Sequence, residues 1–154
     1  MWLIIVLIVA GFGGAGGVAV AASTLGAPPA GQPAPPAQVQ TWIAQANQIL
    51  LAHGTPAGDL DPADQWLIIR HESGGNPLAE NRSDSNFVAG HPSKGIMQTI
   101  DSTFRANALP GHEDIWMPVD NIIAGSLYAI RRYGSIRNVP GVVAVHEGRP
   151  YVGY

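Results

Sequence analysis

The hydrophobic pattern divides the chain into an apolar run, a proline tract and a periodic remainder. From Trp2 to Ala22 there are 21 residues without a charge or a strong hydrogen-bonding side chain, enough at 1.5 Å per residue to cross a hydrocarbon core of about 30 Å. The stretch Trp2–Ala10 has the length of a signal-peptide core, and Ala19-Val20-Ala21 offers small residues for cleavage. Residues 1–25 are therefore expected to be a signal peptide or a membrane anchor. Residues 26–37 hold five prolines and nothing that packs, which predicts an extended linker. Helical periodicity starts next. Val39, Trp42, Ile43, Ala46, Ile49 and Leu50 recur at helical spacing with glutamines between them, predicting a first helix that ends near Gly54. Asp61-Pro62-Ala63-Asp64 supplies a cap, a proline at the first helical position and an early acid for a second helix, which runs through Trp66 and Arg70 to Glu72. Gly74, Gly75 and Pro77 stop it. A long polar loop covers residues 76–94, and helical pattern returns over 97–108 and 119–133. The tail from Val142 to Tyr154 is expected to hold at most one short strand. With no repeat and no βαβ alternation, residues 38–154 predict a small, mainly α domain.

Charge sharpens this division. All 19 charged side chains lie between Asp59 and Arg149, so residues 1–58 carry none. A net charge of −3 without Lys/Arg blocks lacks the electrostatic footprint of a nucleic-acid binder. The absence of cysteine excludes disulfides, a thiolate nucleophile and Cys-ligated zinc. The five histidines are scattered, and His71-Glu72 lacks the second histidine four residues on that a zinc helix needs.

Glu72 is the most informative residue, because its carboxyl sits beside a hydrophobic run, at a helix end and at the start of a long loop. Desolvation raises the pKa of such a group, and the C-terminal end of the helix dipole acts in the same direction. That is the state a general acid needs. The plain alternative is a solvated glutamate paired with Arg70 or His71. Asp84 and Asp101 are the other carboxylates close to the motifs; Asp84 reads as a turn residue and Asp101 as a helix cap or a solvated group. Trp42 and Trp66 read as core aromatics, whereas Trp116 lies in a loop where it would also suit stacking on a sugar.

Four motifs occur in order: His71-Glu-Ser-Gly-Gly-Asn-Pro77, Ser93-Lys-Gly-Ile-Met-Gln98, Asn121-Ile-Ile-Ala-Gly-Ser-Leu-Tyr128 and Arg132-Tyr-Gly134. Together they resemble the transglycosylase SLT domain of the lysozyme-like superfamily, in a form close to small actinobacterial and phage-associated members. The resemblance covers roughly residues 38–137. It implies a lysozyme-like helical fold with Glu72 as the single catalytic acid/base. It also implies a saccharide cleft formed by Ser73, Ser93, Gly95, Met97, Gln98, Asn121, Tyr128 and Tyr133, with Gly95 and Met97 shaping the wall beside Gln98. Ile96 replaces the usual leucine, a nearly isosteric change. The Ala-Tyr-Asn motif of many relatives is not evident, which leaves Tyr151 or Tyr154 to fill that role.

The activity implied is cleavage of peptidoglycan between N-acetylmuramic acid and N-acetylglucosamine with formation of a 1,6-anhydro ring, needing no cofactor or metal. A lysozyme-type muramidase and a non-catalytic peptidoglycan-binding or assembly protein are the alternatives. An extracytoplasmic monomer, secreted or held by residues 2–22, with glycan strands as its partner, is the corresponding expectation.

Overall fold

A computed structural model describes residues 32–82 and 90–154. The expected signal or anchor segment, the first half of the linker (residues 26–31), and Asp84 lie outside these residues. Among the described residues no helix is long and apolar enough to cross a membrane.

The periodic segment after the prolines forms α1, Ala37–Ala52, which buries Val39, Ile43, Ala46 and Leu50 on one face. The next helix, α2 (Pro62–Ser73), starts where Asp61 accepts hydrogen bonds from the amides of Ala63 and Asp64, at 3.0 and 3.2 Å. It ends at Gly74, whose φ of 65° is a left-handed cap that a side chain would strain. Every residue from Ala63 to Ile69 is buried, so α2 is the central helix rather than an amphipathic surface one. Around it lie α3 (Asp101–Asn107), α4 (Pro118–Tyr133) and α5 (Pro140–His146). Short 3-10 turns occupy Ala57–Asp59 and Ile136–Asn138. No strand occurs among the described residues, only isolated bridges such as Lys94 with Thr99. The architecture is mainly helical, as the pattern predicts.

The helices α1 and α3 pack on α4, and α2 packs on α1 and α5. Ile43, Leu50, Leu67, Ile68, Ile69, Ile122, Ile123 and Ile136 fill the space between them without exposure above 1%. Burying so much apolar surface is the main favourable term in folding. One polar network crosses this core: the Gln65 amide donates to Asn47 Oδ1 (2.8 Å) and Ser126 Oγ (3.0 Å), and Asn47 donates back to Gln65 Oε1 at 2.7 Å. Satisfied in this way, it fixes the register of α1, α2 and α4. Asp64, 1% exposed, pairs with His146 at 2.7 Å and thereby ties the start of α2 to the end of α5. Its burial pushes the carboxyl above the usual range, with the His146 contact pulling the other way.

One sequence expectation is corrected, and the tail, read as holding at most one short strand, holds a helix that the pattern did not predict. Residues 97–100 are not helical: Gly95 (φ 77°) and Gln98 (φ 51°) turn the chain back, and α3 starts only at Asp101. Asp101 is the first residue of that helix and gives no side-chain cap; it pairs instead with Lys94 Nζ at 2.8 Å. In the tail, the β-branched run around Val142 forms α5 rather than a strand. Pro140 sits at its first position, and Val142 and Ala144 are buried against the core. Tertiary burial outweighs the weak strand propensity of those valines.

Candidate active site

Glu72 stands one residue before the end of α2, half-buried, with its Oε1 accepting a 2.8 Å hydrogen bond from the Tyr151 hydroxyl. Burial raises its pKa above the ordinary carboxylate value, and the Tyr151 bond partly opposes this by favouring the ionised form. The result is a carboxyl that retains its proton further toward neutrality than a solvated one. It opens onto a cleft of about 250 Å³, also lined by Ser93, Gln98, Thr99, Tyr128 and Tyr154. No second carboxylate lines this cleft among the described residues.

One wall is the turn 94–99. Lys94 and Thr99 exchange two backbone hydrogen bonds of 2.9 and 3.0 Å, enclosing Gly95, Ile96, Met97 and Gln98. Asn121, fully buried on α4, clamps this turn through its side-chain amide. Its Oδ1 accepts from the Met97 amide at 2.8 Å, while its Nδ2 is shared among the carbonyls of Ile115 (3.0 Å) and Lys94 (3.3 Å) and Thr99 Oγ1 (3.1 Å). The clamp requires glycine at 95, since a Cβ there would lie 2.4 Å from Asn121 Nδ2 and 2.7 Å from the Ile115 carbonyl. One turn along α4, Gly125 leaves room for Met97, which would meet a Cβ at about 3 Å. Asn121, Gly125 and Tyr128 thus present one helical face to the turn.

The expected saccharide residues therefore divide. Ser93, Gln98 and Tyr128 line the cleft. Gln98 spends both amide hydrogens on the carbonyls of Ala79 (3.0 Å) and Gly95 (2.9 Å), which leaves its Oε1 as the acceptor for a ligand. Ser73, Gly95, Met97, Asn121 and Tyr133 do not line it. Ser73 Oγ donates to the Ile96 carbonyl at 2.6 Å and joins the end of α2 to the wall turn. Met97 and Asn121 have no exposed surface, and Tyr133 packs against the core with its hydroxyl accepting from Arg132 Nε at 3.1 Å. These five form the frame behind the contact surface. Trp116 is 36% exposed and is not part of the cleft lining.

The tail supplies what the sequence left open. Tyr151 reaches Glu72, and its ring stacks on His71 with centroids 4.3 Å apart and planes 6° from parallel. Tyr154 donates to the Met97 carbonyl at 2.6 Å and sets its ring edgewise on Tyr128 at 5.9 Å. Burial and the nearby Glu72 carboxylate push both phenols well above their usual pKa, so both remain hydrogen-bond donors. Thr99, Ile100, Thr103 and Gly153 complete the lining. Nothing in their sequence setting marks them, because each is brought to the cleft only by the folding of the turn, α3 and the tail.

Comparison with known proteins identifies the family. The chain is 46% identical over 138 residues to the uncharacterized protein YqbO of Bacillus subtilis (strain 168); the match takes in 86% of this chain and 8% of that much longer relative. No solved structure matches significantly. The family model described as the transglycosylase SLT domain matches residues 57–152, from the turn before α2 through Glu72, the wall turn and α4 to Tyr151 in the tail. The chain belongs to the transglycosylase SLT domain family, within the lysozyme-like superfamily.

Proposed function

We propose that the chain is a peptidoglycan lytic transglycosylase that acts outside the cytoplasmic membrane, with Glu72 as its single acid/base. The observation that carries this reading is one half-buried carboxyl with a raised pKa, hydrogen-bonded by a tyrosine, in a cleft lined by no other carboxylate among the described residues. An inverting hydrolase needs a second carboxylate to activate water, about 6.5–9.5 Å from the first. A substrate-assisted reaction does not.

Tyr151 occupies Oε1 of Glu72 and leaves Oε2 for the substrate. Protonated Glu72 donates to the glycosidic oxygen between N-acetylmuramic acid and N-acetylglucosamine. As that C–O bond breaks, the acetamido group of the muramoyl unit closes on its own anomeric carbon and carries the positive charge. Glu72, now ionised and stabilised by the Tyr151 hydroxyl, takes the proton of the muramoyl C6 hydroxyl. The C6 oxygen then attacks the anomeric carbon and displaces the acetamido oxygen, which yields the 1,6-anhydro sugar and restores the protonated acid. No water is consumed. Gln98 Oε1 and the Ser93 hydroxyl supply polar contacts to the sugar, and the Tyr128 ring supplies an apolar face.

Mass spectrometry of muropeptides released from purified peptidoglycan by the full chain tests this. Products ending in 1,6-anhydromuramic acid are expected, with release reduced about 100- to 10,000-fold in Glu72→Gln, the range contributed by a positioned general acid. Reducing-end products would instead identify a muramidase, and wall binding without release a binding module.

A further inference from the structure

The last residues of the chain, from Arg149 on, form no helix or strand, yet they deliver the hydroxyl that meets Glu72. An irregular segment holds a phenol in one place only if its ring is fixed from outside. Three contacts do so. The tail leaves α5 under a backbone hydrogen bond from Arg149 N to the Ala144 carbonyl (2.8 Å). It then folds back over the start of the same helix, where Gly141 has no space for a side chain: a Cβ would stand 2.1 Å from the Val152 carbonyl and 2.3 and 2.7 Å from Tyr151 Cε2 and Cδ2. The edge of the Tyr151 ring therefore rests directly on the α5 backbone. Its face lies on His71, one residue before Glu72 on α2, in a nearly parallel stack.

We infer that Gly141 and His71 are positioning residues for Glu72, seating the edge and the face of the Tyr151 ring so that its hydroxyl engages Oε1. The inference rests on the reading of Glu72 as the acid/base. Neither residue touches the carboxyl; both act through Tyr151. The packed groups around Glu72 are Tyr151 and Tyr154 from the tail, Tyr128 and Tyr133 of α4 beyond Tyr154, and His71 beside Arg70 on α2. Burial and Arg70 hold His71 below its usual pKa, so near neutral pH the stack joins two uncharged rings and adds no cation next to Glu72.

The test is an NMR titration of the Glu72 side-chain carboxyl in full-length protein carrying ¹³C-labelled glutamate, with the kinetics of muropeptide release measured in parallel. The variants are Tyr151→Phe, Gly141→Ala, His71→Ala and His71→Phe. Loss of the hydrogen bond removes a contact that favours the carboxylate, so Tyr151→Phe is expected to move the Glu72 midpoint up by about one pH unit. Gly141→Ala and His71→Ala should move it in the same direction, with kcat reduced about tenfold and KM little changed. His71→Phe, which keeps a stacking ring, should restore the wild-type midpoint. Wild-type titration in both Gly141→Ala and His71→Ala, or in Tyr151→Phe itself, would overturn the inference, as would failure of His71→Phe to rescue. If Gly141→Ala does not fold, the His71 pair decides alone. Because the titration needs no substrate, it stands apart from the proposed activity: an inactive wild-type chain with the expected midpoints would refute the transglycosylase and retain the seat.

Discussion

The wall turn 94–99 and the tail from Arg149 to Tyr154 line the same cleft, but they are held there by different physics. The turn is fixed mainly by directional polar bonds converging on one buried side chain, Asn121, with further bonds from Ser73 and Tyr154, and by the backbone geometry of Gly95 and Gln98. The tail is held by ring contacts, by a glycine that leaves no space above a helix, and by two phenolic hydroxyls. A buried hydrogen-bond clamp fails as a unit when its hub is removed, because each orphaned partner keeps its desolvation cost. A stacked strap yields in smaller steps.

The largest effect should follow from breaking the clamp. Asn121→Ala leaves the Met97 amide and the Ile115 carbonyl without their partner in the interior and removes a second donor from the Lys94 carbonyl, and a loss of roughly 3–5 kcal/mol in urea unfolding is expected. A loss below about 1 kcal/mol would mean that the turn holds itself. Gly95→Ala should act on the same point with somewhat less force, roughly 2 kcal/mol or more, since it combines a positive φ with a clash on Asn121. Tyr151→Phe probes the strap. It should leave unfolding within about 1 kcal/mol of wild type while lowering muropeptide release about tenfold, so a large stability loss would show that the tail is structural first.

Smaller still, in stability, is the effect of neutralising the acid. Because the folded protein raises the Glu72 pKa, it binds that proton more tightly than the unfolded chain does. The favourable contribution is complete below the ordinary carboxylate range, and it is lost as pH rises through the folded-state value. Glu72→Gln should therefore melt a few degrees above wild type near pH 7 and level with it near pH 4, as read by calorimetry. A variant less stable at pH 7 would contradict the burial argument. The least change is expected from Arg149→Ala, whose side chain pairs with Glu147 on the surface, at about 0–0.5 kcal/mol. That result would place the anchoring of the tail in its rings and not in its charges.

The fold was legible in the sequence wherever its cause was local. Periodicity marked α1 and α4, and the Asp61-Pro62 start and Gly74 stop bracketed α2, because caps and turns act within a few residues of themselves. The position of Glu72 at a helix end beside a hydrophobic run already implied a desolvated carboxyl, and the motif order already indicated the family. The helix α5 was not legible, since its valines suit a strand equally well and only burial on the core decides for helix.

The division of the site into contact surface and frame was also beyond reach of the linear pattern. Asn121 and Gln98 look alike in sequence as motif amides. In the fold one is consumed entirely by groups behind the wall, while the other keeps an oxygen for the cleft. By itself the sequence determined the helices α1, α2 and α4, where they stop, and that a carboxyl beside a hydrophobic run stands at the end of α2. Only the tertiary structure decided which phenol meets that carboxyl. Tyr151 lies 79 residues from Glu72, and the residue that admits it, Gly141, acts by having no side chain, which leaves no signal until two helices and a tail are brought together.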